Sequence, residues 1–520
     1  MLRDKQKRIS HFLLSLFILM LPAMHMPLHA DLTTLAKNDP IPMFTTLNLD
    51  DSLLLTREQL LYKFDGSGGR DYDWADKKRN RVNISISPFA QNADRGKTIK
   101  GSQLCTESPI PNPLGCSTRV DTPLGDLTGR TNMIALLYNN GCVNTATSLP
   151  AGQCLDNGCP NPDAALPGKQ CLPPVLTAAL NQLFPETAQG SGIRPGLNDE
   201  ANIDPEERFG FFSFPIKYRK RGLRVEASGL LWYGFGLQLQ TGFSTIRQVH
   251  EETINLTDED TFTPKTSTVT EPNVNNFLME QIIAITDELE IDFCNDFIET
   301  SMEDVRFNLF WRAAFPINED AENTWARFLT IPYFKASGSF SPVKIDNGRH
   351  FFAAPFGDNG HASAGLTAGV NLDFLETIEI GGEVGWTHFF KKDYCNMPIP
   401  NNEFQNNLFP FSTNVSIQPG ENWYFCARLA AYHFLDRLSM HFEWYVLDHQ
   451  PDHICLQTPD PAFTPEVLEC QSSFKVKLGN AGFNYDLSPN FGVGFLWQIP
   501  FSQRNAYRSS TIMVGLNVTF

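Results

Sequence analysis

Asp448-His449 and Asp452-His453 place two carboxylate–imidazole pairs in one short span of the chain. Such pairs are the raw material of general acid–base chemistry, and two imidazoles at this spacing could instead share a metal ion. The span contains no nucleophile and no third group to orient the base. No GxSxG, HExxH or P-loop pattern occurs elsewhere. These residues therefore read as polar loop positions, and the chain as a non-enzyme with no catalytic residue, metal or cofactor.

A second set of charges is spread through segments in which polar and apolar residues alternate. Arg224, Glu226, Arg306, Arg312, Glu379, Glu383, Arg428, Glu443, Lys475 and Lys477 share the polar faces of these segments. If those faces line a lumen, charges of both signs would orient dipolar solutes and set ion preference. The same charges could instead pair and fill a narrow interior.

Cysteine supplies the third kind of chemistry. Cys105, Cys116, Cys142, Cys154, Cys159 and Cys171 fall in one stretch rich in Pro, Gly and Asn, and Cys294, Cys395, Cys455 and Cys470 lie in other loops. Only Cys426 falls on an expected strand. In an oxidising compartment such loop cysteines form disulfides, with Cys455–Cys470 a plausible staple. The Cys154–Cys159 spacing is not that of a zinc knuckle. Eleven is an odd count, so one thiol stays free or crosslinks to a neighbour.

The elements that carry these side chains have a period of two, the signature of half-buried strands. Val82, Ile84 and Ile86 begin the series. Phe212 to Tyr218 then turns at Lys220-Arg221-Gly222 into Leu223 to Ala227, and Tyr233 to Phe243 follows. Downstream come Val305 to Ala313, Leu366 to Leu372, Ile378 to Trp386, Phe425 to Leu429, Leu438 to Val446, Phe474 to Asn484 and Phe491 to Trp497. Short turns such as Leu375-Glu376-Thr377, Leu435-Asp436-Arg437 and Ser488-Pro489-Asn490 alternate with long connections over 248–303, 338–361, 391–421 and 449–471. Helical periodicity occurs only inside loops, at Leu278, Ile282, Ile285 and Leu289 and at Val175, Ala179, Leu180 and Leu183. In a closed barrel such a helix would pack on the rim or fold inward to constrict the lumen. Aromatic residues cluster toward strand ends, as at Trp423-Tyr424, Trp444-Tyr445 and Trp497.

The last ten residues alternate as well, with Ile512, Val514, Leu516 and Val518 on one face before the terminal Phe520. At the other end, Arg3, Lys5, Lys7 and Arg8 precede an apolar run from Phe12 to Leu21, and Leu28-His29-Ala30 suits cleavage. Residues 1–30 read as a signal peptide, since the apolar run is far shorter than the roughly 20 residues of a membrane-spanning helix. The formal charge of −17 becomes more negative once this basic leader is removed, which excludes nucleic acid as a partner. Charged residues make up 19%, less than the roughly 25% of soluble proteins.

The Phe-ending strand behind a secretory leader resembles the terminal strand of bacterial outer-membrane β-barrel proteins. That resemblance implies an all-β, transmembrane, antiparallel up-and-down barrel of even strand number, about 12 to 16 with 14 expected, whose long extracellular loops carry short helices. Residues 31–80 become a periplasmic or lumenal segment, and residues 81–520 the barrel, with a Cys-rich insertion over 92–208. It further implies a location in the outer membrane of a Gram-negative-type bacterium, contact with its lipid, and recognition by the barrel-assembly machinery through Leu516, Val518 and Phe520. The expected function is a porin-type channel for small solutes or a transporter of apolar compounds. The alternative is a surface structural or adhesion protein whose disulfide-stapled loops act while the barrel anchors them. A homo-oligomer or disulfide-linked neighbours would fit either.

Overall fold

In the computed structural model, the described residues are 82–98, short stretches between 120 and 170, and, with gaps, 211–519. The expected signal peptide, the 31–80 segment, the helix near 175–183, Phe520, and Cys294 with the six cysteines between 105 and 171 lie outside them.

Twelve antiparallel staves close on themselves. In chain order they are β1 (Val82–Thr98), β2 (Ile216–Leu230), β3 (Phe235–His250), β4 with β5 (Phe297–Met302 and Val305–Arg312, two halves of one stave), β6 (Phe328–Phe340), β7 (Ser363–Phe374) and β8 (Ile378–Phe389). After β9 (Lys392–Ile399) and β10 (Phe411–Gln418), which stand apart, come β11 (Asn422–Leu435), β12 (Leu438–His449), the separate β13 (His453–Leu456), then β14 (Phe474–Ser488), β15 (Phe491–Arg504) and β16 (Ala506–Thr519). Each stave pairs with its neighbours, and β1 pairs with both β2 and β16, Asn83 standing opposite Ser228 on one side and Thr519 on the other. Closure joins the first stave to the last, so across the belt the ladders satisfy the backbone internally, while β4 (Phe297–Met302) pairs with β3 alone.

The outer face is apolar. Ile84, Val225, Leu239, Phe307, Val370, Val384, Phe425, Phe495 and Val514 all point outward and are exposed. A belt of this extent exceeds the few hundred Å² that soluble surfaces leave bare, and it matches the lipid-facing band of a transmembrane barrel. On β2 the outward row changes from Val225 and Leu223 to Arg221, Arg219 and Lys217, with Arg247 opposite Arg219. Apolar side chains give way to bases over a single strand.

Four expectations about the strands change. The stave count is 12 rather than 14. Lys220-Arg221-Gly222 is no turn: β2 runs straight through it, with Tyr218, Lys220, Arg224 and Glu226 all on the buried face. Gly222 is required there because a Cβ would lie 2.3 Å from the Phe243 carbonyl oxygen of β3. The stave missing from the sequence pattern is β6, which contains Pro332. Pro332 sits at the irregularity where the regular ladder of β5, ending at Arg312 opposite Tyr333, breaks before Phe315 pairs with Thr330; its carbonyl still accepts from Ala313 N at 3.3 Å, so only its missing N–H is lost there. β1 also continues to Thr98, beyond the expected start of the insertion at 92.

The long connections over 248–303, 338–361, 391–421 and 449–471 all leave from the same end. There β9, β10 and β13 form a separate three-stranded sheet, joined by helix α2 (Glu466–Ser472). Alternation along β9 and β10 puts Tyr394, Ile399, Phe411, Val415 and Ile417 on one face, packed with Ile454, Phe463 and Leu468 into a core of their own. This lobe is a folded body at the long-loop end. The expected helix around Leu278 is α1 (Glu271–Glu288), and among its described side chains Ile282, Ile285 and Thr286 are buried.

Candidate functional site

Most inward-facing side chains are buried, with a minority such as Arg312, Thr387, Asn484 and Asp486 half-buried, so the lumen of this conformation is lined by side chains packed against one another. Two ion-paired clusters sit near mid-height on walls five staves apart. In the first, a bulge between β4 and β5 turns two successive residues, Glu303 and Asp304, inward. Glu303 accepts two bonds from Arg224, Oε2 from Nε at 2.7 Å and Oε1 from Nη2 at 2.9 Å, and Lys220 Nζ lies 3.4 Å from the same carboxylate. The pair bridges across β3 over Gly242, where a Cβ would come within 2.9 Å of Glu303 Oε2. Arg224 also lies over the Phe89 ring at 4.1 Å, and Gln240 donates to Glu226.

In the second cluster Arg428 Nε donates to Glu443 Oε1 at 3.1 Å and Nη2 lies 3.9 Å from Glu383 Oε2. Tyr333 donates its hydroxyl proton to Glu383, and Asn480 Nδ2 donates to Glu443 at 3.3 Å. Tyr333, Glu383, Arg428, Glu443 and Asn480 come from five different staves. Charges taken this far from water persist only when paired and hydrogen-bonded.

Between these clusters and the lobe, the connection after β6 dips inward. Its tip, Phe356 to His361, is buried and turns through Gly357, Asn359 and Gly360 at φ of 52°, 47° and 82°. The Asp358 amide donates to Asp304 Oδ2 at 2.9 Å, and its carboxylate accepts from Ser339 Oγ at 3.2 Å and faces Arg306 at 3.8 Å. The lobe grips the tip from the other side. Tyr394 of β9 meets Asn359 O at 3.0 Å and His361 Nε2 at 2.6 Å, Lys392 Nζ donates to Gly360 O at 2.7 Å, and His361 Nδ1 donates to Phe390 O at 2.9 Å. Burial pushes the His361 imidazole down to about 4, only partly offset by the Phe390 carbonyl and Asp452.

The inner wall above the second cluster is of another character. Tyr424, Cys426, Tyr445, Leu447, Phe474, Val476 and Leu478 form one apolar patch on β11, β12 and β14. Following β12 outward, the inward residues run Glu443, Tyr445, Leu447, His449. Ion pairs thus give way to aromatic and aliphatic side chains within one strand step of about 7 Å. At the top His449 stacks on Phe474 at 4.7 Å, its Nδ1 facing Asn422 Oδ1 at 2.7 Å and its Nε2 facing Asp452 Oδ1 at 3.0 Å.

Of the charged residues expected on the lumen wall, Arg224, Glu226, Arg306, Glu379, Glu383, Arg428 and Glu443 are buried on the inward face, and Arg312 is half-buried in the same row. Lys475 and Lys477 are a correction. They face outward, Lys475 paired with Asp448, because the wall is apolar at this height and Phe474, Val476 and Leu478 take the inward row. Glu303, Asp304, Asp358 and Tyr333 belong to the site although no sequence pattern marked them. The adjacent Glu303-Asp304 pair, breaking strict alternation, was the available signal.

His449 and His453 do not come together, since His449 is buried and the His453 side chain is 71% exposed. The expected Cys455–Cys470 staple is also corrected: Cys455 carries a free thiol, and Cys395 is disulfide-bonded.

No family model and no curated protein matches the chain. Among solved structures it is similar to an outer-membrane channel from Pseudomonas putida F1, at 7% identity and a TM-score of 0.40 over 86% of this chain and 98% of that one. It is also similar to the translocator domain of the autotransporter NalP from Neisseria meningitidis, at 7% identity and a TM-score of 0.28 over 90% and 98%. A FadL homologue from Pseudomonas aeruginosa aligns at 9% identity with a TM-score of 0.28 over 85% and 90%. The closed ladder and the apolar outer belt by themselves define the chain as a transmembrane β-barrel.

Proposed function

We propose that this protein is an outer-membrane channel, closed at rest, for small molecules that join an apolar body to a polar or ionised end. The observation that carries this reading is the inner wall of β11, β12 and β14, apolar toward the long-loop end and ion-paired one step below. A solute with both kinds of surface would exchange contacts along this path without leaving either half unsolvated. The 356–361 tip is the element that must move, because it occupies the upper lumen between the lobe and Arg306. The long-loop end would face the exterior and the short turns the periplasm, the orientation of a barrel delivered through a leader and a terminal strand.

The purified full chain in a planar bilayer and in liposomes tests this. We expect low basal conductance with brief openings, and uptake of a small aromatic acid such as benzoate several-fold faster than that of a sugar of equal size. Wide, steady conductance without such preference would replace this reading with an open porin. A second reading, a surface adhesin, is favoured by the lobe, whose core of ten buried residues is more than a pore needs. A silent barrel whose lobe captures a cell-surface partner would support that reading instead.

A further inference from the structure

His453 and Cys455 are two residues apart on β13, so their side chains project from the same face of the lobe sheet. Cys455 Sγ lies 3.3 Å from His453 Nε2, and His453 Nδ1 lies 2.9 Å from Glu469 Oε1 of α2. Glu469 is itself held in place, its Oε1 accepting the Ile454 amide proton at 2.6 Å. This is the order of a nucleophile, a base and a group that orients the base. With Nδ1–H donated to Glu469, Nε2 presents its lone pair to the thiol, and proton transfer creates a thiolate–imidazolium pair that keeps both contacts. The thiol and the carboxylate engage opposite nitrogens of the ring, so no single cation can reach both. Burial raises the Glu469 carboxyl above its ordinary value, with the Ile454 amide and His453 opposing the shift and Glu466 adding to it. The thiol is free and the ring is exposed, so the pair is open to a reactant from outside.

We propose that Cys455 is an activated surface thiol that exchanges with an exposed disulfide, carried by a small thiol compound or by a neighbouring protein. The Cys455 proton passes to His453 Nε2. The thiolate attacks one sulfur of the partner disulfide, a new bond forms from Cys455 Sγ, the partner S–S bond breaks, and the departing sulfur takes the proton back from His453. Electrons balance without an added oxidant, and the product is a mixed disulfide anchored on the lobe.

Oxidised glutathione is the probe. Incubated with the full chain in detergent at neutral pH, it should modify the peptide containing Cys455, read by mass spectrometry, at least about tenfold faster than the buried thiol of Cys426. His453→Gln keeps an amide against Glu469 but cannot carry the proton, and should slow the reaction about tenfold. Added imidazole should restore part of the rate in His453→Ala, a rescue that a purely structural role for His453 would not allow. Glu469→Gln, which retains the acceptor for Ile454, should slow it less, because Glu469 is a positioning residue. Equal rates in the parent and both His453 variants, or no rescue by imidazole, would overturn the proposal. In whole membranes, a larger disulfide-linked species absent from Cys455→Ser identifies a protein as the source, and a glutathione adduct alone identifies the small-molecule source.

Discussion

His361 holds one ring nitrogen against the Phe390 carbonyl and the other against the Tyr394 hydroxyl, with Lys392 and Asp452 the nearest charges acting on it. An imidazole in water takes a proton near 6.5, whereas this one, docked, takes it only near 4. Between those values the undocked state binds the extra proton. Docking is therefore strongest above pH 6.5 and weakens as the pH falls toward 4, by about 3 kcal/mol in full. Channel openings should become more frequent over that window, and His361→Gln should flatten the dependence in single-channel recordings. An unchanged pH profile in the variant would remove His361 from the gate. Arg428 makes the complementary case. Arg428→Ala leaves Glu383 and Glu443 buried without their cation and should cost about 3–5 kcal/mol in a denaturation midpoint, whereas replacing all three with apolar residues of similar volume should recover much of that loss.

The element that converts such residue effects into permeation is the 356–361 tip. Gly357 has a positive φ, and a Cβ there would stand 1.9 Å from Asp304 Oδ1. Gly357→Ala should therefore push the tip off the β5 wall and raise basal conductance several-fold with little change in barrel stability. Unaltered conductance would mean that the tip is not the obstruction. None of this was legible in the sequence, because a loop that enters a lumen shows no periodicity. The staves were more legible, since period two survives wherever one face meets lipid. It failed at β6, where Pro332 broke the pattern, and at Lys220-Arg221-Gly222, where bases and a glycine imitated a turn. It failed most instructively at Lys475 and Lys477. The pattern assumes that apolar side chains point to lipid, and on β14 they point inward, so the register was right while the faces were exchanged. The surface thiol site shows the same limit from another side. His453 and Cys455 are two residues apart in sequence, but Glu469, which completes their arrangement, is brought to them only by α2.

At the scale of the molecule, barrel and lobe differ in what holds them. The barrel closes through its ladders around an interior in which ion-paired clusters alternate with apolar patches, whereas the lobe has an ordinary, wholly apolar core. Loosening the gate therefore need not loosen the lobe. The closing ladder has a consequence of a different kind, for the order of events in assembly. Asn83 must find Thr519, so the pairing of β1 with β16 spans nearly the whole described chain, while most other ladders join strands close in sequence. Contacts between distant positions form late, because the intervening chain must be ordered first. Until then β1 and β16 each present a row of unpaired amides and carbonyls, adhesive to any other strand. In pulsed hydrogen exchange during refolding into detergent, the amides shared by β1 and β16 should become protected last, after those of β11 with β12 and β14 with β15. The half-made barrel is thus an open ribbon with two sticky margins, and its greatest hazard is meeting another ribbon before its own ends meet.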